Sequence, residues 1–519
     1  MIQVASVTPV TLVRGGLLSN VATAVFEHAG TEPDRVAVRA AGAEITFGAL
    51  RDAVASFAKR VVDAGVSPGD RVLLVAPTIP EFVAAYYGLH AAGATLITMN
   101  VMATAPEMEY VIDDAGVSLV VAWQANAEAA EKAATGRGLP FWTIDPLADW
   151  DTADQLDQPV DLPDDATAII IYTSGTTGRP KGAELAVSGI AAIVDAAEHV
   201  LEFSEDDRSG TALPLFHVFG QIMVMHLAIS FGTSVSLLHP FDPRRLVEMI
   251  RDDELTVVSG VPTMWVAMLH AAGDASPEDF ARLRLASSGG ASLPVEVIRA
   301  FEDRFGTRIR EGYGLSETCG WATFAPLETE PKIGAVGRAV HNVDIEIRDL
   351  DGSALPTGEV GEVWIRGPIV MKGYWNRPEA TAAVLQDGWL RTGDLGTLDD
   401  DGDLRIVDRL KDLIIRGGYN VYPSEVEEVL YEHPAIVEAA VVGVADPTYG
   451  EEIGAVIVLA AGAEVEPEEL RAWAKERLSA YKVPRLFQFA DALPKGPSGK
   501  ILKRAIDRDA LTGPRGPGL

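Results

Sequence analysis

The sequence predicts an α/β protein. It reads as a large N-terminal domain of parallel-rich sheets covered by helices, a β region closing that domain, and a small mobile α+β C-terminal domain. Three observations predict it. Short apolar runs alternate with helix-like stretches over roughly the first 400 residues, the texture of βαβ units whose strands are covered on both faces. From about residue 337 the pattern becomes polar–apolar alternation broken by Gly, Asp and Pro, as half-exposed antiparallel strands require. After Arg409 a separate helix-and-strand pattern begins, and 519 residues exceed what one hydrophobic core comfortably holds.

Each element follows in order. Residues 71–76 read as a buried strand, 80–92 as a helix and 94–99 as the next strand. The rhythm returns at 119–122, 168–172, 234–238, 255–259 and 283–287. The run 222–238 is strongly apolar, but His226 lies inside it and Gly232-Thr233-Ser234 splits it. It falls short of the roughly 20 residues of a spanning helix and reads as a buried helix followed by a buried strand. Residues 343–347 alternate as a half-exposed strand. Further on, Ser424 and Glu427 have the spacing of a capping box with Ser424 at the N-cap, and Val426, Val429 and Leu430 share one helical face. Strands at 439–444 and 455–459 and a helix at 467–478 complete the small unit. The expected organisation is 1–408, a hinge at 409–411, and 412–519, with a frayed tail from Gly513.

Composition narrows the function. With 48% hydrophobic and 23% charged residues the chain is an ordinary globular protein. Its net charge, 43 − 75 = −32, argues against nucleic acid or an anionic membrane as partner. An anionic ligand must then be gathered by a few well-placed cations. Cys319 is the sole cysteine, which excludes an internal disulfide framework and a multi-Cys zinc site. The first residues lack a basic segment followed by an apolar core, so no secretion signal is read and a cytoplasmic location is expected.

The most informative stretch is Tyr172-Thr173-Ser174-Gly175-Thr176-Thr177-Gly178-Arg179-Pro180-Lys181-Gly182, directly after an apolar run. Glycines admit close approach of backbone N–H groups, hydroxyls donate further bonds, and a lysine adds charge, which together suit polyphosphate. The spacing is not that of a Walker A loop. Four more segments stand out: Gly312-Tyr313-Gly314-Leu315-Ser316-Glu317, which lacks the third glycine of a dinucleotide fingerprint; Arg391-Thr392-Gly393-Asp394; Asp408-Arg409-Leu410-Lys411-Asp412 with Arg416-Gly417-Gly418 beyond; and Pro494-Lys495-Gly496-Pro497-Ser498-Gly499-Lys500.

In this order the five segments resemble the acyl-adenylate-forming superfamily, which contains acyl-CoA synthetases, plant 4-coumarate–CoA ligases, firefly luciferase and peptide-synthetase adenylation domains. The resemblance runs from about residue 17 to 504 and is extended by Gly361-Glu362-Val363-Trp364-Ile365-Arg366-Gly367 and Met371-Lys372-Gly373-Tyr374. It implies that ATP and a carboxylic acid give an acyl-adenylate and pyrophosphate, and that a thiol, normally CoA, then displaces AMP. By the same resemblance Thr173 to Lys181 cradle the β- and γ-phosphates, and Glu311, Gly312 and Tyr313 stack on adenine. Ser316 touches the α-phosphate, Glu317 holds Mg²⁺, Asp394 accepts from the ribose hydroxyls and Arg409 assists it. Lys500 is the implied catalytic lysine and Lys411 the hinge. Arg416, Gly417, Gly418 and Tyr419 form the implied CoA loop.

For the acyl group, the resemblance places His217 beside the carboxylate and Phe219, Gly220, Met223, Gly289, Gly290, Ala291, Gly320 and Trp321 around the chain. Val218 stands where amino-acid-activating relatives carry an aspartate, so a plain carboxylic acid is expected. Ile415 stands where plant coumarate ligases carry a lysine, and Glu317-Thr318-Cys319-Gly320 looks more like fatty-acyl members. The expected substrate is therefore a medium- or long-chain fatty acid, with an aryl acid or a carrier-protein acceptor as the alternatives. Cys319 is read as a packing residue, and the chain as a monomer or homodimer.

Overall fold

The computed structural model describes residues 19–147, 150, 154–173, 179–271, 273, 275–349, 351–496 and 500–513. The two ends of the chain, with the secretion-signal and frayed-tail expectations, lie outside these residues, as do Ser174, Gly175, Thr176, Thr177 and Gly178.

Among the described residues, the large N-terminal region holds two mainly parallel sheets. One has seven strands. Its centre is the parallel set Thr95–Met99, Arg71–Val75 and Val117–Trp123, with Thr167–Thr173 on the other side of Thr95–Met99. These strands are rich in Val, Leu and Ile, and their central residues Leu73, Leu74, Leu96, Ile97, Val120 and Val121 are completely buried, as strands of a covered parallel sheet should be. The second has nine strands, with Arg208–Thr211, Val257–Gly260, Leu285–Ser288 and Ile309–Tyr313 in parallel succession. The apolar run is buried, as expected. Phe219–His226 forms a widened helix that continues into Leu227–Ser230, and the strand Ser234–Leu237 follows. Among the described residues, no helix is long and apolar enough to cross a membrane.

The change of texture near residue 337 is an antiparallel sheet of Asp344–Arg348, Gly361–Arg366, Trp389–Leu398 and Leu404–Arg409, with Leu385–Gln386 at an edge. It shares one hydrophobic core with the two parallel-rich sheets. The apolar residues from Ile414 onward gather into clusters of their own, around the hairpin Ile436–Asp446 and Gly450–Leu459.

The expected capping box is not formed. The helix Pro423–Tyr431 starts two residues earlier, with Tyr422 at its cap and Pro423 in its first position, where a missing N–H costs nothing. Ser424 instead turns toward the large domain. Its hydroxyl donates to Asp408 Oδ2 (2.7 Å), and its N–H donates to the same oxygen (2.9 Å). Glu427 accepts from the Val441 N–H (2.6 Å) and pairs with Lys503 (2.7 Å). Val426 and Leu430 are buried as expected, while Val429 is only half-buried.

Candidate active site

The site is assembled at strand ends and strand edges. In the antiparallel sheet, Asp394 lies opposite Arg409 across paired strands. Arg409 Nε stands 3.3 Å from Asp394 Oδ1, and the Tyr313 hydroxyl donates to Oδ2 at 2.7 Å. Burial pushes the Asp394 carboxyl up, while Arg409 and Tyr313 pull it back. The turn before it is fixed by Thr392, whose hydroxyl donates to the Val363 carbonyl (2.8 Å) and accepts from the Asp394 N–H (3.0 Å).

The glycine-rich stretch implied to hold phosphate is flanked by antiparallel strands, with Thr173 opposite Lys181. The edge strand Gly373–Tyr374 pairs with Lys181–Ala186 and brings Tyr374 beside the lysine. The Lys181 ammonium sits 5.0 Å from the centre of the Tyr374 ring. The same tyrosine donates from its hydroxyl to Glu317 Oε1 at 2.9 Å. One ring thus positions both the implied phosphate cation and the implied metal carboxylate. Tyr374 was quoted in the sequence only as part of a motif, and pairing of residues 374 and 183 is what gives it a role.

Lys500 reaches into the same cavity from the small domain. Its turn is clamped on both sides: the Gly496 N–H donates to the Lys500 carbonyl (2.7 Å), and the Leu502 N–H to the Pro494 carbonyl (2.8 Å). Enclosure pushes the Lys500 ammonium down to about 8, and the Arg409 charge adds to that fall, whereas Asp394 and Glu317 oppose it. His217 faces the cavity too and keeps some accessible surface. Even so, desolvation, with the Lys500 charge, holds its imidazole down to about 3. Its Nδ1 accepts from the Phe219 N–H (3.3 Å). An imidazole held neutral in that setting is a poor acceptor for a proton.

The cavity measures about 2340 Å³ and is continuous from Lys181 to an apolar recess. Thr173, Gly312, Tyr313, Ser316, Glu317, Asp394, Arg409 and Lys411 all line it. Phe219, Met223, Gly289, Gly290, Ala291, Gly320 and Trp321 line it as well, and its apolar lining also includes Val257, Leu285, Leu201 and Phe203. Trp321 is buried and meets Phe324 edge-on at 5.8 Å.

Three expectations need correction. Glu311 does not line the cavity: it is buried behind the strand, accepts from the Leu293 N–H (3.2 Å), and burial lifts its carboxyl to about 7. Gly220 does not widen the acyl recess. A Cβ there would lie 2.6 Å from the Pro214 carbonyl oxygen, so the glycine serves helix packing. The third concerns Arg416, whose guanidinium is spent inside the small domain, 2.6 and 3.0 Å from the two carboxylate oxygens of Glu452. With Gly417, Gly418 and the exposed Tyr419 it lies away from the cavity in this arrangement. Cys319 is buried at φ +53°, its thiol pushed up to about 12 by desolvation, which accords with a packing role.

Family comparison agrees with this geometry. Residues 25–375 match the AMP-binding enzyme model, and residues 425–500 match the AMP-binding enzyme C-terminal domain. The chain belongs to the AMP-binding enzyme family. Within that family it is an acyl-adenylate-forming CoA ligase, an acid–thiol ligase that uses ATP and CoA. A feruloyl-CoA synthase from an Amycolatopsis species is 38% identical over 488 residues, covering 93% of this chain and 97% of that one. A long-chain-fatty-acid–CoA ligase from Bacillus subtilis is 35% identical over 523 residues, covering 92% of each. Among solved structures, ATP-bound MatB from Rhodopseudomonas palustris superposes with a TM-score of 0.88 at 31% identity, covering 93% of this chain and 98% of that one. The o-succinylbenzoate coenzyme A synthetase from Bacillus subtilis in complex with ATP and magnesium ion gives 0.83 at 31% identity, covering 93% and 98%.

Proposed function

We propose that the chain activates a plain carboxylic acid of medium or long aliphatic chain and passes it to CoA. The observation that carries this is the convergence in one cavity of Lys500, Asp394, Arg409 and Glu317, opening onto an apolar recess. Attack of the carboxylate on the α-phosphate places negative charge on the carboxylate, the α-phosphate and the departing pyrophosphate. Lys500 meets that charge, in a site where enclosure makes a fixed cation worth more than it is in water. Asp394 accepts from the ribose, held in register by Arg409 and Tyr313. Glu317, steadied by Tyr374, is the carboxylate that would hold Mg²⁺, and the donor chemistry fits, because hard cations take carboxylate and phosphate oxygens. When bound, the ion neutralises phosphate charge.

The acid is selected by burial, at about 25 cal/mol per Å² of apolar surface. Val218 leaves nothing to pair a substrate ammonium, which favours a plain acid. The apolar lining, which includes Leu201, Phe203, Val257 and Leu285, supports a long acyl chain. An aryl acid is the second reading, favoured by the 38% identity to a feruloyl-CoA synthase and by the hydroxyl pair Ser259–Ser287 (2.8 Å) on the recess wall. Residues 409–411 are the proposed hinge, and the loop from Arg416 to Tyr419 is the proposed CoA surface once the small domain turns.

The test is pyrophosphate release measured over short- to long-chain, benzoic and cinnamic acids, with and without CoA. The expected result is release with medium- or long-chain acids and AMP formation that depends on CoA. Preference for a cinnamic acid replaces the first reading with the second. AMP release only with a holo carrier protein overturns the acceptor assignment.

A further inference from the structure

A cluster far from the cavity carries a different chemistry. Asp195 and His199 lie one turn apart on the helix Val187–Val200, a spacing that puts both side chains on one face. His341 comes from a turn 142 residues beyond His199 in the chain, just before the strand Asp344–Arg348. The two imidazoles lie parallel, with ring centres 3.8 Å apart and planes 10° from each other. His341 Nε2 stands 3.9 Å from Asp195 Oδ2, and one donor atom from each residue falls within 4.8 Å of the others. All three side chains are exposed, and none lines the catalytic cavity.

We propose that Asp195, His199 and His341 form a surface site for a borderline divalent transition-metal ion of the zinc type. The donor set decides the class. Two imidazole nitrogens and one carboxylate suit Zn²⁺ and its neighbours, whereas Mg²⁺ and Ca²⁺ require mostly oxygen. A tetrahedral ion with bonds of about 2.0–2.1 Å needs donors about 3.3 Å apart and lies in the plane of each imidazole, so binding requires the His341 ring to turn out of the stack while His199 stays held by the Asp195 carbonyl. The tautomer is already set. His199 Nδ1 faces the Asp195 carbonyl at 2.8 Å. A carbonyl only accepts, so the proton sits on Nδ1 and the Nε2 lone pair is free for a metal. The Asn342 amide, 3.4 Å from Asp195 Oδ2, orients the carboxylate from behind. Water completes the coordination on the open side. The other compact group of carboxylates, Asp399, Asp401 and Asp403, carries no such site, because the Lys332 ammonium lies 2.6–3.0 Å from all three.

A bound ion would tie the helix that follows the Lys181 strand to the entrance of the antiparallel sheet, and so stabilise the large domain without touching catalysis. The test uses full-length protein with any purification tag removed, stripped with EDTA and titrated with ZnCl₂ against a chromophoric chelator. One equivalent should bind at micromolar or lower zinc, raise the thermal midpoint and leave again with EDTA. His199→Ala and His341→Ala should each weaken that equivalent by about tenfold or more, and Asp195→Asn by less, with pyrophosphate release in unstripped protein unchanged. Cobalt(II) gives a readout independent of the variants: wild type should show d–d absorption that one equivalent of zinc displaces. No uptake at micromolar zinc, or equal uptake by the His199→Ala/His341→Ala double variant, overturns the proposal.

Discussion

The Lys500 side chain lies against Gly290, its Cε 3.1 Å from where a Cβ on that residue would stand. Gly290 also holds φ at +84°, a conformation that other residues adopt only with strain of about 1–2 kcal/mol. Gly290→Ala should therefore push the ammonium out of place and strain the turn beneath it. Pyrophosphate exchange is expected to fall about tenfold or more, since small misplacements of a positioned group are costly. The reaction of CoA with pre-made acyl-adenylate should be nearly unchanged. Equal loss in both assays would place Gly290 in general folding instead.

Lys500→Ala should remove the charge altogether. Adenylation is expected to drop by about 10²–10³, the cost of losing one preorganised donor. Thioester formation from supplied acyl-adenylate should persist. Ordinary pyrophosphate exchange in the variant would rule out the assigned role.

The same lysine predicts an alkaline limb. On the proposed function Lys500 acts as the ammonium, and its enclosure lowers it to about 8 in the ligand-free protein. Activity of the free enzyme, read as kcat/KM for adenylation, should decline as pH rises through about 8, because the proton is lost there. Lys500→Arg should retain part of the rate and carry no such limb below pH 10, as guanidinium does not deprotonate in that range.

Lys411→Pro should separate the two half-reactions. Asp412 and Leu413 donate their N–H groups back to the Arg409 carbonyl (2.9 and 3.2 Å), closing a turn around Lys411. Proline would fix φ there and restrict Leu410 before it. Adenylation, which uses the present arrangement, is expected to stay within a few-fold of wild type. Thioester formation should fall on the order of a hundredfold, because it needs the small domain turned. Parallel loss of both would argue against a hinge.

Glu311 makes stability depend on pH. Burial lifts its carboxyl to about 7 from 4.5. A raised folded value means that the contribution is fully present below about pH 4.5 and is lost as pH rises through 7. Glu311→Gln keeps an acceptor for the Leu293 N–H and removes the buried charge. It should leave the thermal midpoint near wild type at pH 5 and raise it at pH 8, by the equivalent of at most about 3 kcal/mol. An unchanged difference across that range would show that Glu311 does not govern it.

Much of the fold was legible because buried parallel strands write themselves as unbroken apolar runs. Residues 72–75 are such a run, residues 95–99 set Thr95 and Thr98 among Leu96, Ile97 and Met99, and the ends of both strands fall within a residue or so of the expectation. The five motifs likewise drew attention to Asp394, Glu317 and Lys500, which line one cavity. The failures share a cause, which is competition from residues distant in sequence. Ser424 looked like a cap because Asp408, 16 positions earlier, does not show as its partner in a linear reading. Gly220 looked like room for a ligand because its near approach to the Pro214 carbonyl exists only in three dimensions. Arg416 looked free because Glu452 reaches it only across paired strands. Tyr374 gained its role from a strand pairing that spans nearly two hundred residues.

The buried Arg416–Glu452 pair also bears on timing. It ties the strand that leads into Gly417 and Gly418 to its neighbour, so on the proposed function the glycine loop travels with the same small domain that carries Lys500. On the proposed function, the amine that helps expel pyrophosphate must withdraw before the glycine edge can guide a thiol inward, so premature thiol attack is prevented by shape alone, without any regulatory ligand.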